Sequence, residues 1–372
     1  MAPGHGRLKG STLGDIAAGR DNNLNALRMI AASSVMFSHS YALTGHMLEE
    51  PLAVASGQRT DAATIGVVVF FAISGFLIAQ SLSRRNSLYG YTVARALRIL
   101  PGLAFAKLLC VFALGWYATT LATSAYFSHE NTWKFLAVSP FFGIQDHLPG
   151  VFEANPYPRA VAGSLWTIPI ETWCYTIAAL LAALTILRRE LASTVLVVLA
   201  LVSYAIFPQA VRSLLPADGF GTIPGLMFTF LFGAWLHACR RFVPLSMTAA
   251  TAVIALLFYC ATTPLFRLLY YTAIAYAALV IAYHPKVQWP AYLRVGDYSY
   301  GTYLLAFPVQ QFLAWRFGVR EPLALFGLAF LATLPFAALS WHWIEKPMLA
   351  LKTSVSAWRP RFVYALRRTT RS

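Results

Sequence analysis

The sequence has few charged residues. Asp, Glu, Lys and Arg make up 12% of its 372 positions, whereas they make up about 25% of an average soluble domain. Hydrophobic residues reach 58%, and they occur in long runs rather than in short amphipathic stretches. This composition excludes an ordinary soluble domain and predicts a protein embedded in a membrane.

Acidic residues are the scarcer of the two charged classes. The 14 Asp and Glu residues stand against 29 Lys and Arg, which gives a net charge of +15. A nucleic-acid-binding protein would gather such charge on one polar face, but here the basic residues lie mostly in short connections between apolar runs. In that position they orient membrane helices and contact anionic lipid. We therefore predict membrane lipid, and no nucleic acid, as a partner.

Cysteine is also sparse. The four cysteines, Cys110, Cys174, Cys239 and Cys260, lie inside apolar runs. None has the paired spacing that zinc sites or redox motifs require. We expect them to be small core residues, and we predict no metal site.

The apolar runs are long enough to cross a membrane as helices, because in lipid the backbone must hydrogen-bond to itself. The predicted fold is an all-α polytopic integral membrane protein with about ten transmembrane helices. Basic residues alternate between the connections in a way that places both termini in the cytoplasm. We divide the chain into a flexible cytoplasmic segment (1–23), a transmembrane domain (24–349) and a basic cytoplasmic tail (350–372). The runs are 24–46, 62–83, 100–122, 163–187, 191–209, 222–239, 246–264, 266–284, 296–314 and 322–344.

The first run contains an arginine and a histidine. Ten residues separate Arg28 from His39, so in a helix they lie about 16 Å apart along the axis. An ionisable side chain at the depth of His39 is costly and indicates a functional site. The alternative is a core histidine that bonds to a neighbouring backbone carbonyl.

A carboxylate occurs at a comparable depth in the run GSLWTIPIETWCYTIAALL. From depth alone we expect Glu171 to pair with His39. Such a pair would fix the tautomer of the imidazole and raise its basicity, as a general base acting on an alcohol requires. The alternative is that Glu171 is a structural partner for another buried donor.

Four arginines lie close together in sequence. Arg84 and Arg85 end the second run, and Arg95 and Arg98, three residues apart, share one face of a helix. Guanidinium groups pair bidentately with phosphates, so we predict that these residues hold a phosphate-bearing donor. They could instead only set topology. Ser74, in the Ser-Gly pair of the second run, is either a nucleophile without a visible base or a helix-packing residue.

Four stretches together resemble the membrane-bound acyltransferase family 3, bacterial enzymes that acylate, usually acetylate, hydroxyls of surface and exported carbohydrates. The stretches are LNALRMIAASSVMFSHS, GVVVFFAISGFLI with VARALRILP, SLWTIPIETWCY, and VGDYSYGTYLLAFPV with WHWIEKPML.

The resemblance implies roles for five residues. His39 becomes the catalytic histidine with Arg28 as its companion, Arg95 and Arg98 become acyl-CoA contacts, and Glu171 becomes a functional acid. One position departs from the family, whose members often have a histidine where this chain has Ala306 in YLLAFP.

The predicted function is therefore O-acyl transfer in the bacterial inner membrane. Acetyl-CoA on the cytoplasmic side would be the donor. The acceptor would be a hydroxyl of an exported or cell-surface carbohydrate, which could be linked to a lipid. Proteins of glycan assembly are candidate partners. The alternative is a transporter that uses the same polar cavity for a lipid-linked or soluble sugar. Transporters often contain inverted repeats, and we find no such correspondence between the two halves of the sequence.

Overall fold

The computed structural model describes residues 12–16, 22–84, 87–137, 145–206, 209, 222–263, 265–285, 287, 289 and 296–357. Each of the ten predicted runs contains a helix within these ranges. The helices are α1 (Leu24–Leu43), α2 (Ala62–Arg84), α3 (Leu88–Leu109), α4 (Thr167–Ala183), α5 (Glu190–Ile206), α6 (Ile223–Ala238), α7 (Met247–Tyr259), α8 (Leu265–Tyr283), α9 (Ser299–Arg316) and α10 (Pro322–Ser340).

Five segments of the described chain are long and apolar enough to cross a membrane. They are Ala62–Arg84, Leu88–Ala118, Gly163–Ala183, Leu265–Tyr283 and Pro322–Leu351. These segments and the all-helical character of the described chain are those of a membrane protein. Three more apolar helices are shorter, so the number of ten crossings and the orientation of the termini stay predictions.

The third run begins earlier than expected. We predicted it over 100–122, whereas the helix starts at Leu88 and passes through a π-helical turn, Cys110–Gly115, to Ala118. Arg95 and Arg98 consequently lie inside this helix rather than before it. Lys107 is buried near the end of α3, where its ammonium donates to the Ala137 carbonyl at 2.9 Å. The error arose because the polar residues at the start of the helix lowered its hydropathy.

Helix α1 packs against α2, α9 and α10. These neighbours accommodate most of its polar side chains, since Ser38 and Ser40 are buried and Arg28 and His39 are partly buried. Gln310 of α9 reaches across and donates to the Met36 carbonyl at 2.8 Å and to the Ser40 hydroxyl at 2.6 Å. The site residues of α1 are therefore held on a firmly anchored helix.

Helices α2 and α6 cross at backbone contact. A Cβ atom placed on Gly75 would lie 2.0 Å from the Phe230 carbonyl oxygen, and one on Gly233 would lie 2.3 Å from the Ala72 carbonyl oxygen. Only glycine permits this approach, which is the packing role that we considered for the Ser-Gly pair. The crossing positions α2 along one wall of the site.

The long connection between α3 and α4 is folded in its described part. It contains two short helices, Thr123–Ser128 and Glu130–Leu136, and isolated β-bridges that pair Thr119 with Val151 and His147 with Ala160. Gln311 of α9 donates from its amide to the carbonyls of Tyr157 and Ala160. The connection is thus fastened onto α9 near His39.

Candidate active site

A narrow cavity of about 80 Å3 lies between α1, α2, α3, α4 and α9. Its wall brings together Arg28, Arg95, Arg98 and Glu171, which are widely separated in sequence. Four of the seven predicted site residues therefore converge on one place. The remaining wall is mainly aliphatic and aromatic, so charged groups here act in a poorly hydrated environment.

Asp297, just before α9, binds two of these arginines. Its Oδ2 atom lies 2.9 Å from Nη1 of Arg28 and 2.6 Å from Nη2 of Arg98. The Asp297 side chain is only 8% exposed, so its negative charge is compensated by these two guanidinium groups rather than by water. Asp297 thus ties α1 and α3 to the start of α9.

A second carboxylate, in the turn that follows α10, binds Arg98. The Glu345 side chain is buried and lies 3.5 Å from Arg98, and it also accepts a hydrogen bond from the Ser340 hydroxyl at 2.8 Å. Glu345 ends a π-helical turn, Trp341–Glu345, that follows α10. The sequence analysis noted the stretch WHWIEKPML but missed this acid, whose only signal was a lone carboxylate at the end of an apolar run.

Arg95 differs from the other two arginines. Its guanidinium carbon lies 5.7 Å from the centroid of the Tyr175 ring, and its buried Nε atom has no hydrogen-bond partner. No carboxylate within the described ranges forms an ion pair with it. Arg95 is therefore the arginine of this cavity that an incoming anion can bind without displacing a protein carboxylate.

The formal charges around the cavity cancel. Among the residues that the structure describes there, three positive charges stand against three negative ones. The positive charges are those of Arg28, Arg95 and Arg98, and the negative charges are those of Glu171, Asp297 and Glu345. The site is thus less cationic than the arginines alone suggested. Two of its positive charges, those of Arg28 and Arg98, form ion pairs with protein carboxylates and are not free to bind a ligand.

Glu171 points to a tyrosine rather than to a histidine. Its Oε1 atom accepts a hydrogen bond from the Tyr175 hydroxyl, one turn along α4. Ser74 lines the same cavity, and no histidine of the described chain is hydrogen-bonded to it. Tyr91 of α3 donates to the Tyr175 carbonyl at 3.0 Å and fixes this part of α4.

His39 lies outside this cavity. Its ring packs edge to face on Phe307 of α9, with centroids 5.1 Å apart, and no hydrogen bond joins it to Glu171 or to any other described residue. Asp61, at the N-terminus of α2, is the acidic group near enough to act on it electrostatically. The expected His39–Glu171 pair is therefore wrong, because equal depth does not place two side chains on facing sides of their helices.

The two remaining arginines do not join the cluster. Arg84 is exposed at the C-terminal end of α2, where its charge acts on His237 and Tyr283 rather than on the cavity. Arg85 lies outside the described residues. His237 is 3% exposed, and its Nε2 atom lies 3.2 Å from the Ser83 hydroxyl.

The cysteines are buried and unpaired, as expected for core residues. Within the described chain, no group of three His, Cys, Asp or Glu side chains is arranged to hold a metal ion.

Comparison with known proteins gives the family. The acyltransferase family 3 model, described as an acyltransferase domain, matches residues 21–342. An O-acetyl transferase of Shigella phage Sf6 is 30% identical over 345 residues, which cover 89% of this chain and 96% of that protein. Nodulation protein 10 of Rhizobium leguminosarum bv. viciae is 26% identical over 391 residues, which cover 92% and 97%. No solved structure matches the chain. Because the family model spans most of its length, the chain belongs to acyltransferase family 3.

Proposed function

We propose that the protein is an integral-membrane O-acyltransferase that moves an acyl group, in the first instance acetyl, from cytoplasmic acyl-CoA to a hydroxyl of an exported or cell-surface carbohydrate. Family membership and the relative named as an O-acetyl transferase support the reaction class. The sources of the relatives, a Shigella phage and a Rhizobium, support the inner membrane of a bacterium as the location.

One observation carries the mechanism: a single helix, α1, links the arginine-lined cavity to His39. Arg28 lies at the cavity wall and His39 lies about 16 Å farther along the same helix. A pantetheine arm is long enough to cover that distance. The donor would therefore enter at the Arg28 end of the bundle, while the acceptor meets His39 near the other end.

His39 serves as the general base. It takes the proton from the acceptor hydroxyl while the hydroxyl oxygen attacks the thioester carbonyl carbon. The C–O bond forms, the C–S bond breaks, and the departing CoA thiolate takes up the proton. In this scheme Asp61, whose charge acts on His39, takes the part first considered for Glu171 and stabilises the imidazolium that forms in between.

Arg95 is the residue that binds the donor directly, since its guanidinium is not engaged by a protein carboxylate. The cavity of about 80 Å3 is too small for the nucleotide of the donor, so in this scheme only the pantetheine arm passes through it towards His39. Arg28 and Arg98 orient the wall through Asp297.

Labelled acetyl-CoA tests the proposal. Membranes from cells that lack the chromosomal gene are supplied with the native chain, His39→Gln or the control His342→Gln, and label in the carbohydrate fraction is measured. We expect transfer with the native chain and the control, and a loss of about 100-fold or more with His39→Gln. His342 is a suitable control because it is exposed and contacts Tyr298 away from the cavity.

Two outcomes would change the mechanism or the function. Label trapped covalently on the native chain would make His39 an acyl carrier instead of a general base. No label in any carbohydrate, with all chains present in the membrane, would contradict acyl transfer and favour the sugar transporter.

A further inference from the structure

Four aromatic side chains form a continuous surface where the segment Leu88–Ala118 ends and the connection to α4 begins. We call Phe112, Trp116, Phe127 and Trp133 the aromatic surface. The Phe127 ring lies 6.0 Å from that of Phe112 and 6.5 Å from that of Trp116, and the rings of Phe112 and Trp133 are 6.3 Å apart. Phe112, Trp116 and Trp133 are 43%, 53% and 49% exposed within the described chain. Exposed apolar side chains in contact with one another indicate a surface that another apolar phase or partner covers.

The polar atoms of the two tryptophans are already bonded inside the protein. The indole N–H of Trp116 donates to the Thr123 hydroxyl at 3.3 Å, and that of Trp133 donates to the Phe127 carbonyl at 2.7 Å. The exposed part of the aromatic surface therefore offers carbon atoms rather than hydrogen-bond donors. Whatever covers it is held by apolar contact.

The aromatic surface lies at the same end of the helix bundle as His39. The ring of Tyr117, next to Trp116, is 6.2 Å from that of Phe312 and 5.9 Å from that of Trp315 in α9. These two residues follow Phe307, which packs on His39, by between one and two and a half turns of α9. The aromatic surface is consequently beyond His39 on the path away from the arginine cavity.

The length of the helical segment places one of its ends outside the hydrocarbon of a bilayer. Leu88–Ala118 is apolar enough to cross a membrane and contains 31 residues, which as a helix measure about 46 Å, whereas the hydrocarbon core is about 30 Å thick. A tilt of about 40° would still leave about 35 Å along the membrane normal. The segment therefore reaches the interfacial layer, where Trp and Tyr are enriched, and Trp116 and Tyr117 mark that end.

The helix Glu130–Leu136 has the side-chain arrangement of a helix that lies in the plane of this layer. Thr132 and Phe135 are buried against the protein, Trp133 belongs to the aromatic surface, and Glu130 and Lys134 form an exposed ion pair at 2.7 Å. An interfacial helix inserts its apolar side about 5–10 Å into the boundary between head groups and hydrocarbon and keeps its charged side in water.

We infer that the aromatic surface inserts into the membrane–water interface at the His39 end of the bundle, and that its partner is the lipid bilayer itself. The surface thereby anchors the connection between α3 and α4 to the membrane. The same connection is fastened onto α9 through Gln311, so the lipid contact and the α9 contact together fix its position beside His39.

Spin labels in proteoliposomes of phosphatidylethanolamine and phosphatidylglycerol test this inference. A nitroxide is attached to Phe112→Cys, Trp133→Cys or the control Lys134→Cys, which lies next to Trp133 on the charged side of the helix. Relaxation by oxygen, which concentrates in hydrocarbon, is compared with relaxation by a water-soluble nickel chelate. Leu331→Cys, 69% exposed in the middle of α10, is the lipid reference, and Glu153→Cys, exposed in the connection, is the water reference. The native chain, whose cysteines are buried, measures the background.

We expect the ratio of oxygen to nickel relaxation to be about threefold or more higher at Phe112→Cys and Trp133→Cys than at Lys134→Cys, and to lie between the two references. Because both replaced side chains are largely exposed and two sites are measured, one poorly folded variant leaves the other to decide.

Two results would overturn the inference. A ratio at both sites equal to that of Glu153→Cys would show that the aromatic surface faces water. Weak relaxation by both reagents would show that protein, such as a second copy of this chain, covers it instead of lipid. The experiment measures no acyl transfer, so its result is independent of the proposed function.

Discussion

Arg28 and Asp297 form an ion pair with an N–O distance of 2.9 Å although 269 positions separate them in the chain. The Arg28 side chain is 19% exposed and that of Asp297 is 8% exposed. Because Arg98 shares the same carboxylate oxygen, one acidic group holds three helical regions together. Removing one partner of such a buried group leaves the other charges uncompensated, which costs more than the intact pair contributes.

Asp297→Asn should therefore destabilise the protein strongly. We expect a loss of about 3–5 kcal/mol in the free energy of unfolding, measured as a lower unfolding temperature in detergent. Combining Asp297→Asn with Arg28→Gln should recover part of the loss, since one unpaired charge is removed. Glu130→Gln is the control, because its pair with Lys134 is exposed and contributes little. An unfolding temperature unchanged by Asp297→Asn would show that the network is not structural.

Arg95 and Arg98 should respond differently to replacement by glutamine. Arg95→Gln removes a group without an ion-pair partner in the described chain, so we expect a KM for acetyl-CoA raised by about 10- to 100-fold with an unchanged unfolding temperature. Arg98→Gln breaks contacts to Asp297 and Glu345 and should lower the unfolding temperature. If Arg95→Gln leaves the KM unchanged, Arg95 does not bind the donor.

Glu171 should be energetically coupled to Tyr175 and not to His39. The hydrogen bond between Glu171 and Tyr175 predicts that Glu171→Gln and Tyr175→Phe are non-additive in unfolding free energy, with an interaction energy of about 0.5–3 kcal/mol. Glu171→Gln and His39→Gln should be additive. Thermal unfolding of the single and double variants measures both cycles, and coupling to His39 would restore the pair that the sequence suggested.

Gly75→Ala should disrupt the crossing of α2 and α6. The added methyl would meet the Phe230 carbonyl at 2.0 Å, which forces the helices apart and should cost at least about 1–3 kcal/mol. We expect less protein in the membrane and a lower unfolding temperature. Gly327→Ala, at a position of α10 with nothing within 4 Å of the added atom, controls for the change of residue type. Equal behaviour of the two variants would contradict a packing role for Gly75.

Hydropathy and charge were enough to predict the helices, because each depends on residues close together in the chain. That Arg95 and Arg98 reach one cavity could also be expected, because they share a helix face, whereas depth alone had paired Glu171 with His39 instead of with these arginines. The residues that form ion pairs with these arginines could not be predicted from the sequence. Asp297 and Glu345 reach the arginines only through tertiary packing, and a one-dimensional pattern carries no information on which helix faces meet.

The start of α3 shows a different limit. Its first turns carry polar residues and two arginines, so a hydropathy window begins the helix near residue 100 instead of at Leu88. Those turns are tolerated because Tyr91 and Arg98 bond to protein groups rather than face lipid. The residues that make the segment hard to recognise as a span are thus among those that build the site.

The π-helical turn Trp341–Glu345 determines where the last of the carboxylates points. A π turn contains one residue more than the α-helical turn it replaces, so side chains beyond it are rotated by about 100° from where an uninterrupted helix would place them. The contact between Glu345 and Arg98 consequently depends on the length of this turn as well as on the presence of an acid. A chain with the same residues but one position fewer here would carry the carboxylate on another face, and Arg98 would keep Asp297 alone.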